Sequence, residues 1–186
     1  GDTIRIKPGL YEETIDIRNE SSEPEVVRLY TRDYSFSADG SNTYGEPGSL
    51  PRSNAGWLAF GPDQRTIQPG ETVTVGVTVS VPSAASDAQQ LTGTYWSIVM
   101  VEAVEEAPDS TSGQFQVRSK IRYGVQVITH IDDTGAPKIT FENPQLSTRE
   151  DGDRVLQVDL TNAGSRAAVP EVHVELYSSN GAKQTE

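Results

Sequence analysis

The sequence predicts an all-β protein, and three observations lead to that prediction. Apolar and polar residues alternate with a period of two in most segments, which places neighbouring side chains on opposite faces of a strand. The 186 residues include 16 Gly and 11 Pro, which favour frequent turns and disfavour long helices. No segment competes with this pattern through the 3.6-residue apolar period of an amphipathic helix. A core built from thin sheets is therefore the architecture that the sequence favours.

Predicted strands follow one another at short intervals over the first 131 residues. The strongest covers residues 72–81, a β-branched run between the Pro69-Gly70 turn and Pro82. A long polar loop with a possible short hairpin covers residues 37–56. The other predicted strands are residues 4–7, 14–19, 25–32, 57–60, 93–102 and 114–131. About seven short strands with frequent turns are typical of an immunoglobulin-like β-sandwich, which we expect for residues 1–131.

The remaining residues suggest a second, related domain. Residues 132–137 have the acidic, Gly- and Pro-containing composition of a linker. After them, Ile15-Asp-Ile-Arg-Asn19 is echoed by Val158-Asp-Leu-Thr-Asn162, which indicates an internal repeat. Residues 138–186 are roughly half of an immunoglobulin-like domain of about 100 residues. We therefore expect a partial second domain, either because the natural chain continues or because another chain supplies the missing strands.

Composition excludes several classes of function. The net charge of −12 and the pI near 4.6 disfavour binding to nucleic acid or to anionic lipid. The absence of cysteine excludes disulfides, thiolate metal sites and cysteine nucleophiles. No run of 18 apolar residues exists, so we do not expect a membrane-embedded protein. The chain opens at Gly1 almost within its first strand, and we expect that processing has removed a preceding segment.

A search for catalytic motifs gives no support for an enzyme. The carboxylates lie mostly in turns, and neither His130 nor His173 has a second histidine at metal-ligand spacing. A Gly-x-Ser-x-Gly elbow and a phosphate-binding Gly-x-x-x-x-Gly-Lys loop are both absent. We therefore predict no catalytic residue, no cofactor and no metal. A calcium site at Asp132-Asp133 is left open, although the spacing matches no known loop motif.

The most informative segment is residues 114–127. Its odd positions are mostly apolar and its even positions mostly polar, so one long strand would have an apolar face and a polar face. Arg118, Lys120 and Arg122 stand at every second position, about 7 Å apart, and could together hold an anionic group. The alternative is a solvated strand whose cations meet acidic residues on the neighbouring strand.

A set of short motifs, taken together, resembles the periplasmic pilus-assembly chaperones and their bacterial relatives. The resemblance covers residues 3–131 and is clearest in the last strand of the first domain. The motifs are Pro8-Gly9, Ile15-Asp-Ile-Arg-Asn19, Pro51-Arg-Ser-Asn-Ala-Gly-Trp57-Leu58, Pro69-Gly70-Glu71, Val79-Ser-Val81-Pro82, Gly93-Thr-Tyr95-Trp96 and Gln114-Phe-Gln-Val-Arg-Ser-Lys-Ile-Arg122.

This resemblance implies a mechanism. Members of that family have two immunoglobulin-like domains and lend the last strand of the first domain to a fimbrial subunit that lacks one. By the resemblance, Phe115, Val117 and Ile121 are the partner-binding residues that fill the subunit's groove. Arg122 matches the basic residue that anchors the subunit's terminal carboxylate, together with a first-strand cation for which Arg5 is the nearest candidate.

Two functional hypotheses follow. The first is an extracytoplasmic, chaperone-like protein, periplasmic or extracellular, that binds a pilus or envelope subunit by β-strand addition. The second is a cell-surface adhesion or scaffold module without chaperone activity, which binds through the loop at residues 37–56 or through another domain. The sequence indicates no oligomeric state.

Overall fold

The computed structural model describes residues 4–6, 9–83, 90–104 and 121–184, with the side chains of residues 4–6 and 184 outside the description. The chain divides into two compact units, residues 1–135 and 136–186. The described residues form β-strands and one short 3-10 helix, and no α-helix occurs among them. The prediction of an all-β chain is therefore confirmed.

Of the strands formed by the described residues, nine belong to the first unit and four to the second. The first unit contains β1 (Ile4–Ile6), β2 (Gly9–Arg18), β3 (Glu25–Phe36), β4 (Asn42–Gly45), a 3-10 helix (Ala55–Trp57), β5 (Leu58–Phe60), β6 (Gln64–Ile67), β7 (Thr72–Val81), β8 (Gly93–Ala103) and β9 (Arg122–Ile131). The second unit contains β10 (Ile139–Thr148), β11 (Arg154–Asn162), β12 (Leu176–Tyr177) and β13 (Lys183–Gln184).

The first unit is built from two sheets. The large sheet has the strand order β1-β9-β8-β3-β4, with β6 also paired to β3, and the small sheet has the order β2-β7-β5. Alternate residues of β7 point into the core, so that Val75, Val77, Val79 and Val81 are buried. From the large sheet, Val27, Leu29, Val99 and Val101 are buried as well, and the main cluster of the core joins residues of both sheets. The alternation read from the sequence therefore encodes the inner faces of a sandwich.

The first strands pass from one sheet to the other. β1 pairs in parallel with the end of β9, with Ile4 opposite Thr129 and Ile6 opposite Ile131. The chain then enters the small sheet, where β2 begins at Gly9 and pairs antiparallel with β7. β1 therefore lies against β9 at one end of the sandwich only.

Some predicted strand boundaries need correction. The sequence predicted one strand from Gln114 to Ile131, but β9 begins at Arg122, and Ile121 directly precedes it. Residues 105–120 lie outside the described residues, and the predicted partner-binding residues Phe115 and Val117 are among them. The predicted strand at residues 57–60 begins one residue later, as β5 (Leu58–Phe60), because Trp57 ends the 3-10 helix with its amide bonded to the carbonyl of Asn54.

The long polar loop contains the predicted hairpin strand as β4, and a buried carboxylate holds the segment that follows it. Asp33 is fully buried at the point where β3 meets β4. Its carboxylate accepts hydrogen bonds from four donors: the amides of Gly48 and Leu50 and the hydroxyls of Ser49 and Ser53. Burial by itself raises the pKa of Asp33, but these donors outweigh burial and hold the pKa below its ordinary value.

The repeat found in the sequence is also a repeat of turn geometry. After β2, the Asn19 side-chain oxygen accepts from the amide of Ser21, and its side-chain nitrogen donates to the carbonyl of Glu23. After β11, Asn162 makes the same two bonds, with the amide of Gly164 and the carbonyl of Arg166. Each asparagine therefore ends its strand with the same side-chain turn. The assignment of residues 138–186 to a partial immunoglobulin-like domain stays a prediction.

In the second unit, β10 and β11 form an antiparallel hairpin with an irregularity between Glu142 and Gln145. After Pro170, the described residues form the short strand β12, which pairs with β13. Several large apolar side chains of the hairpin are exposed: Phe141, Leu146, Leu156 and Leu160.

Candidate functional site at the open edge of β9

β9 is paired along its whole length on one side and over a short stretch on the other. β8 pairs with all of β9, from Arg122 opposite Glu102 to Ile131 opposite Gly93. β1 reaches only Thr129, His130 and Ile131 on the other side. Within the part of the chain that the structure describes, no strand pairs with this side of residues 122–128, which we call the open edge. Seven strand residues span about 23 Å.

The hydrogen bonds of β8 show which backbone groups face outward at the open edge. The amide of Trp96 donates to the carbonyl of Arg52, on the side of β8 that faces away from β9. Even-numbered residues of β8 therefore bond away from β9, and odd-numbered residues bond toward it. Each odd-numbered residue of β8 stands opposite an odd-numbered residue of β9. The backbone groups that face outward therefore belong to the even-numbered residues Arg122, Gly124, Gln126 and Ile128.

An apolar groove lies beside the open edge, between β9 of the large sheet and β2 of the small sheet. Its volume is about 760 Å³, and its apolar lining comes from Ile15 and Ile17 on β2, from Val27, Ile67 and Val101 in the core, and from Ile121, Tyr123 and Val125. Ile121, Tyr123 and Val125 are 60%, 66% and 37% exposed. Further along the same row, Val127 packs against the core and Ile131 is buried. The apolar row of β9 therefore runs out of the core into the groove.

The two edge strands beside the groove differ in charge. β2, which the structure pairs with β7 alone among the described strands, carries Glu12, Glu13, Asp16 and Arg18 within ten residues. After Arg122, β9 carries no Asp, Glu, Lys or Arg. Charged residues on an edge strand discourage the addition of another strand. β2 is therefore protected in this way, and the open edge of β9 is not.

The structure places Arg122 in a row of charges on the outer face of the large sheet. Arg28, Glu102 and Arg122 stand opposite one another on β3, β8 and β9. Both guanidinium groups lie 3.4 Å from the carboxylate of Glu102, which is 2% exposed. The cation of Arg122 therefore meets an acidic residue on the neighbouring strand, which was the alternative to an anion-binding role.

Tyr30 completes this row by donating a hydrogen bond of 2.6 Å to the carboxylate of Glu102. Burial of the phenol, followed by the hydrogen bond and the charge of Glu102, raises the pKa of Tyr30. A phenol and two arginines therefore surround the buried carboxylate of Glu102.

The structure does not bring Arg5 and Arg122 together. The register places Arg5 opposite His130, eight residues along β9 from Arg122. Eight strand residues correspond to about 26 Å, which is too far for both side chains to hold one carboxylate. The anchoring of an anionic group by Arg122 stays a prediction that does not include Arg5 as its partner.

Two residues that support the open edge were not identified from the sequence. Asn54 is fully buried, and its side-chain nitrogen donates to the carbonyl of Val127 at 3.1 Å and to the hydroxyl of Thr129 at 2.9 Å. At Gly124, an added Cβ atom would clash with Cδ1 of Ile98, so the side chain of Ile98 covers this glycine. A glycine inside a strand is a signal of such close approach. Asn54, in a polar loop, gives no comparable signal.

The described residues give no support for a metal site or for a membrane-spanning helix. Among the residues that the structure describes, no group of three or more His, Asp and Glu is placed to hold a metal ion. The calcium site at Asp132-Asp133 stays a hypothesis. No helix in the described part of the chain is long and apolar enough to cross a membrane.

Comparisons with known proteins place the fold. No protein-family model matches the chain, and no curated protein matches its sequence. A chain of the chaperone–tip adhesin complex of CFA/I fimbriae biogenesis is similar, with a TM-score of 0.51 and 15% identity over 98% of this chain and 75% of that chain. A chain of the CsuC–CsuE chaperone–tip adhesion subunit complex of Acinetobacter baumannii has a TM-score of 0.49 and 13% identity, over 87% of this chain and 68% of that chain. The E. coli chaperone DraB has a TM-score of 0.49 and 10% identity, covering 98% and 92%.

The class of protein follows from the first of these similarities and from the two packed sheets. The chain has an all-β, immunoglobulin-like chaperone fold. The structural neighbours include fimbrial and pilus chaperones, so the resemblance predicted from the sequence is confirmed at the level of the fold.

Proposed function

We propose that this protein binds a segment of a partner protein by β-strand addition at the open edge of β9, in a chaperone-like role outside the cytoplasm. The observation that carries the proposal is the unpaired side of residues 122–128 beside the apolar groove. The fold supports it, because two of the similar structures contain a chaperone together with a tip subunit. Following the resemblance, the partner is a pilus or envelope subunit, in the periplasm or at the cell surface.

Two kinds of contact would hold the partner segment. Backbone groups of four residues face outward and can continue the sheet onto a new strand. The exposed side chains of Ile121, Tyr123 and Val125 would lose water contact when alternate apolar residues of the partner enter the groove. Full burial of such a side chain contributes about 1.5–3 kcal/mol, of which the cost of association offsets a large part. Phe115 and Val117 would extend the same row of contacts.

A proline substitution tests the backbone part of the proposal. The amide of Gln126 faces outward, so Gln126→Pro removes a donor to an added strand and leaves the bonds to β8 in place. Gln126→Ala keeps the amide and serves as the matched control. We expect Gln126→Pro to lose at least tenfold in affinity for a partner isolated from envelope extract, while Gln126→Ala binds as the parent does. The affinities are measured by surface plasmon resonance.

A second proline distinguishes the two edges of the groove. The amide of Asn19 bonds to the carbonyl of Glu71 on the side of β7, so the even-numbered residues of β2 face outward. Thr14→Pro therefore removes an outward amide from the charged edge. We expect Thr14→Pro to bind as the parent does. Equal losses from Thr14→Pro and Gln126→Pro, or no loss from Gln126→Pro, would contradict strand addition at β9. Urea denaturation of each variant confirms that the fold is retained.

The second candidate function is an adhesion module, and an exposed aromatic cluster favours it. The ring of Tyr34 lies 6.0 Å from Phe36 and 5.7 Å from Tyr44, and the latter two are 67% and 52% exposed. Exposed aromatic residues supply large contact areas at binding sites. The double variant Phe36→Ala, Tyr44→Ala would abolish partner binding under this function and leave it unchanged under strand addition.

A further inference from the structure

The groove has a negative formal charge among its lining residues. Asp16, Glu20 and Glu25 line it, and Arg18 is the only cation among the described residues that do so, which leaves a formal charge of −2. The turn from Glu20 to Glu25, which we call the acidic turn, joins β2 to β3 beside Ile121 and Tyr123. It therefore lies at the end of the open edge where β9 begins.

The acidic turn has a fixed conformation. Asn19 is 6% exposed, and its side-chain nitrogen donates to the carbonyls of Glu23 and Ile67 at 2.7 and 2.9 Å. Its side-chain oxygen accepts from the amide of Ser21, and its backbone is bonded to Gly70 and Glu71. The carboxylates of the turn consequently start from a defined backbone position, which reduces the entropy lost when they meet a cation.

Two further arginines of the described residues, Arg28 and Arg122, do not neutralise the acidic turn. Arg122 and Arg28 lie on the outer face of the large sheet and are ion-paired with the buried carboxylate of Glu102. The groove opens on the inner face, where the row of Ile121, Tyr123 and Val125 points. A segment in the groove therefore meets the acidic turn and Arg18, and not the two arginines of the outer face.

We propose that the segment accepted at the open edge is a cationic one: about seven extended residues, alternately apolar, with Lys or Arg at the end that lies over the acidic turn. This inference rests on the proposed function and adds the chemistry of the partner. The length follows from the open edge, which ends where β1 begins to pair with Thr129. The sign of the charge follows from the lining of the groove, and it is opposite to that of the carboxylate expected from the family resemblance.

Synthetic peptides test the charge. The probes are two capped, fluorescein-labelled peptides of alternating valine and threonine that differ only in having lysine or glutamate at both ends. We expect the lysine peptide to bind about fivefold more tightly in about 50 mM salt, with a smaller preference at about 500 mM, as for exposed charge pairs. Glu20→Lys should reduce the preference to about twofold or less. Asp39→Lys makes the same charge change in the turn beyond the far end of β3 and should leave the preference as it is.

The outcomes separate this inference from the proposed function. Tighter binding of the lysine peptide that depends on Glu20 supports both. Equal binding of the two peptides, tighter binding of the glutamate peptide, or a preference that Glu20→Lys leaves intact overturns the cationic partner and leaves strand addition standing. Binding of neither peptide, with Gln126→Pro also without effect on the isolated partner, overturns both.

Discussion

Asn54 holds β9 from inside the sandwich, and its removal gives a sharp prediction. Asn54→Ala deletes two buried hydrogen bonds, to the carbonyl of Val127 and to the hydroxyl of Thr129. Each bond contributes about 0.5–1.5 kcal/mol, and Thr129, which is fully buried, gains no water as a replacement. With the cavity left by the missing amide, we expect a loss of about 2–3 kcal/mol in the free energy of unfolding.

Asn54→Asp separates the lost hydrogen bonds from the lost volume. At pH 7 this variant places a buried carboxylate against the carbonyl of Val127. We expect it to lower the free energy of unfolding by at least as much as Asn54→Ala does. A protonated carboxyl can donate to that carbonyl, so the pKa of the new group is raised in the folded state. Stability of this variant therefore increases as pH falls from 7 to 5, through the raised folded pKa.

Urea denaturation at pH 7 and pH 5, followed by tryptophan fluorescence, measures both effects as shifts in the midpoint at constant slope. The parent protein provides the baseline at each pH. A loss below about 0.5 kcal/mol for Asn54→Ala would refute the role given to these hydrogen bonds. Equal stability of Asn54→Asp relative to the parent at both pH values would refute it independently.

Three further predictions concern the first unit. The folded pKa of Asp33 lies below its ordinary value of 3.8, so its contribution to stability is complete above about pH 4 and is lost as pH falls through the folded pKa. Asp33→Asn should therefore lower the stability at pH 7 and weaken the loss of stability in acid, as followed by circular dichroism. Gly124→Ala should destabilise by about 1–2 kcal/mol through contact with Ile98, and Ile98→Val in the same chain should recover part of that loss in thermal unfolding. Arg122→Gln should lower the free energy of unfolding, measured by urea denaturation, by only about 0.5–1 kcal/mol, since this side chain is 53% exposed and Glu102 keeps its ion pair with Arg28. A loss above about 3 kcal/mol would contradict the ion-pair geometry.

The sequence predicted which face of a strand is buried, but it gave much less information about which strands are neighbours. Alternation in residues 72–81 predicted β7 with the observed boundaries, because a period of two fixes which side chains enter the core. The same pattern predicted that the apolar row of β9 occupies one face, and Val127 and Ile131 are on the core side. Alternation contains no information about the neighbour of a strand. The parallel pairing of β1 with β9, which limits the open edge, therefore could not be predicted.

At the candidate site, the sequence likewise identified single residues but not their contacts. Ile121 was identified from the sequence and lines the groove, whereas Phe115 and Val117 lie outside the described residues. Arg122 was identified as a cation on a polar face, but its partner Glu102 was not. Glu102 ends an apolar run on β8, and its burial depends on residues from three strands that are distant in sequence. A contact of this kind becomes visible only when the register between strands is known.

Amide hydrogen exchange, resolved by residue with NMR, tests the open edge most directly. In the free protein, the amides of Gly124 and Gln126 should exchange rapidly, while those of Val125 and Val127, bonded to β8, should be slow. On saturation with the partner, Gly124 and Gln126 should become as slow as their neighbours, because an added strand then accepts their hydrogen bonds. Slow exchange of Gly124 and Gln126 in the free protein, or rapid exchange that persists in the complex, would contradict strand addition at this edge.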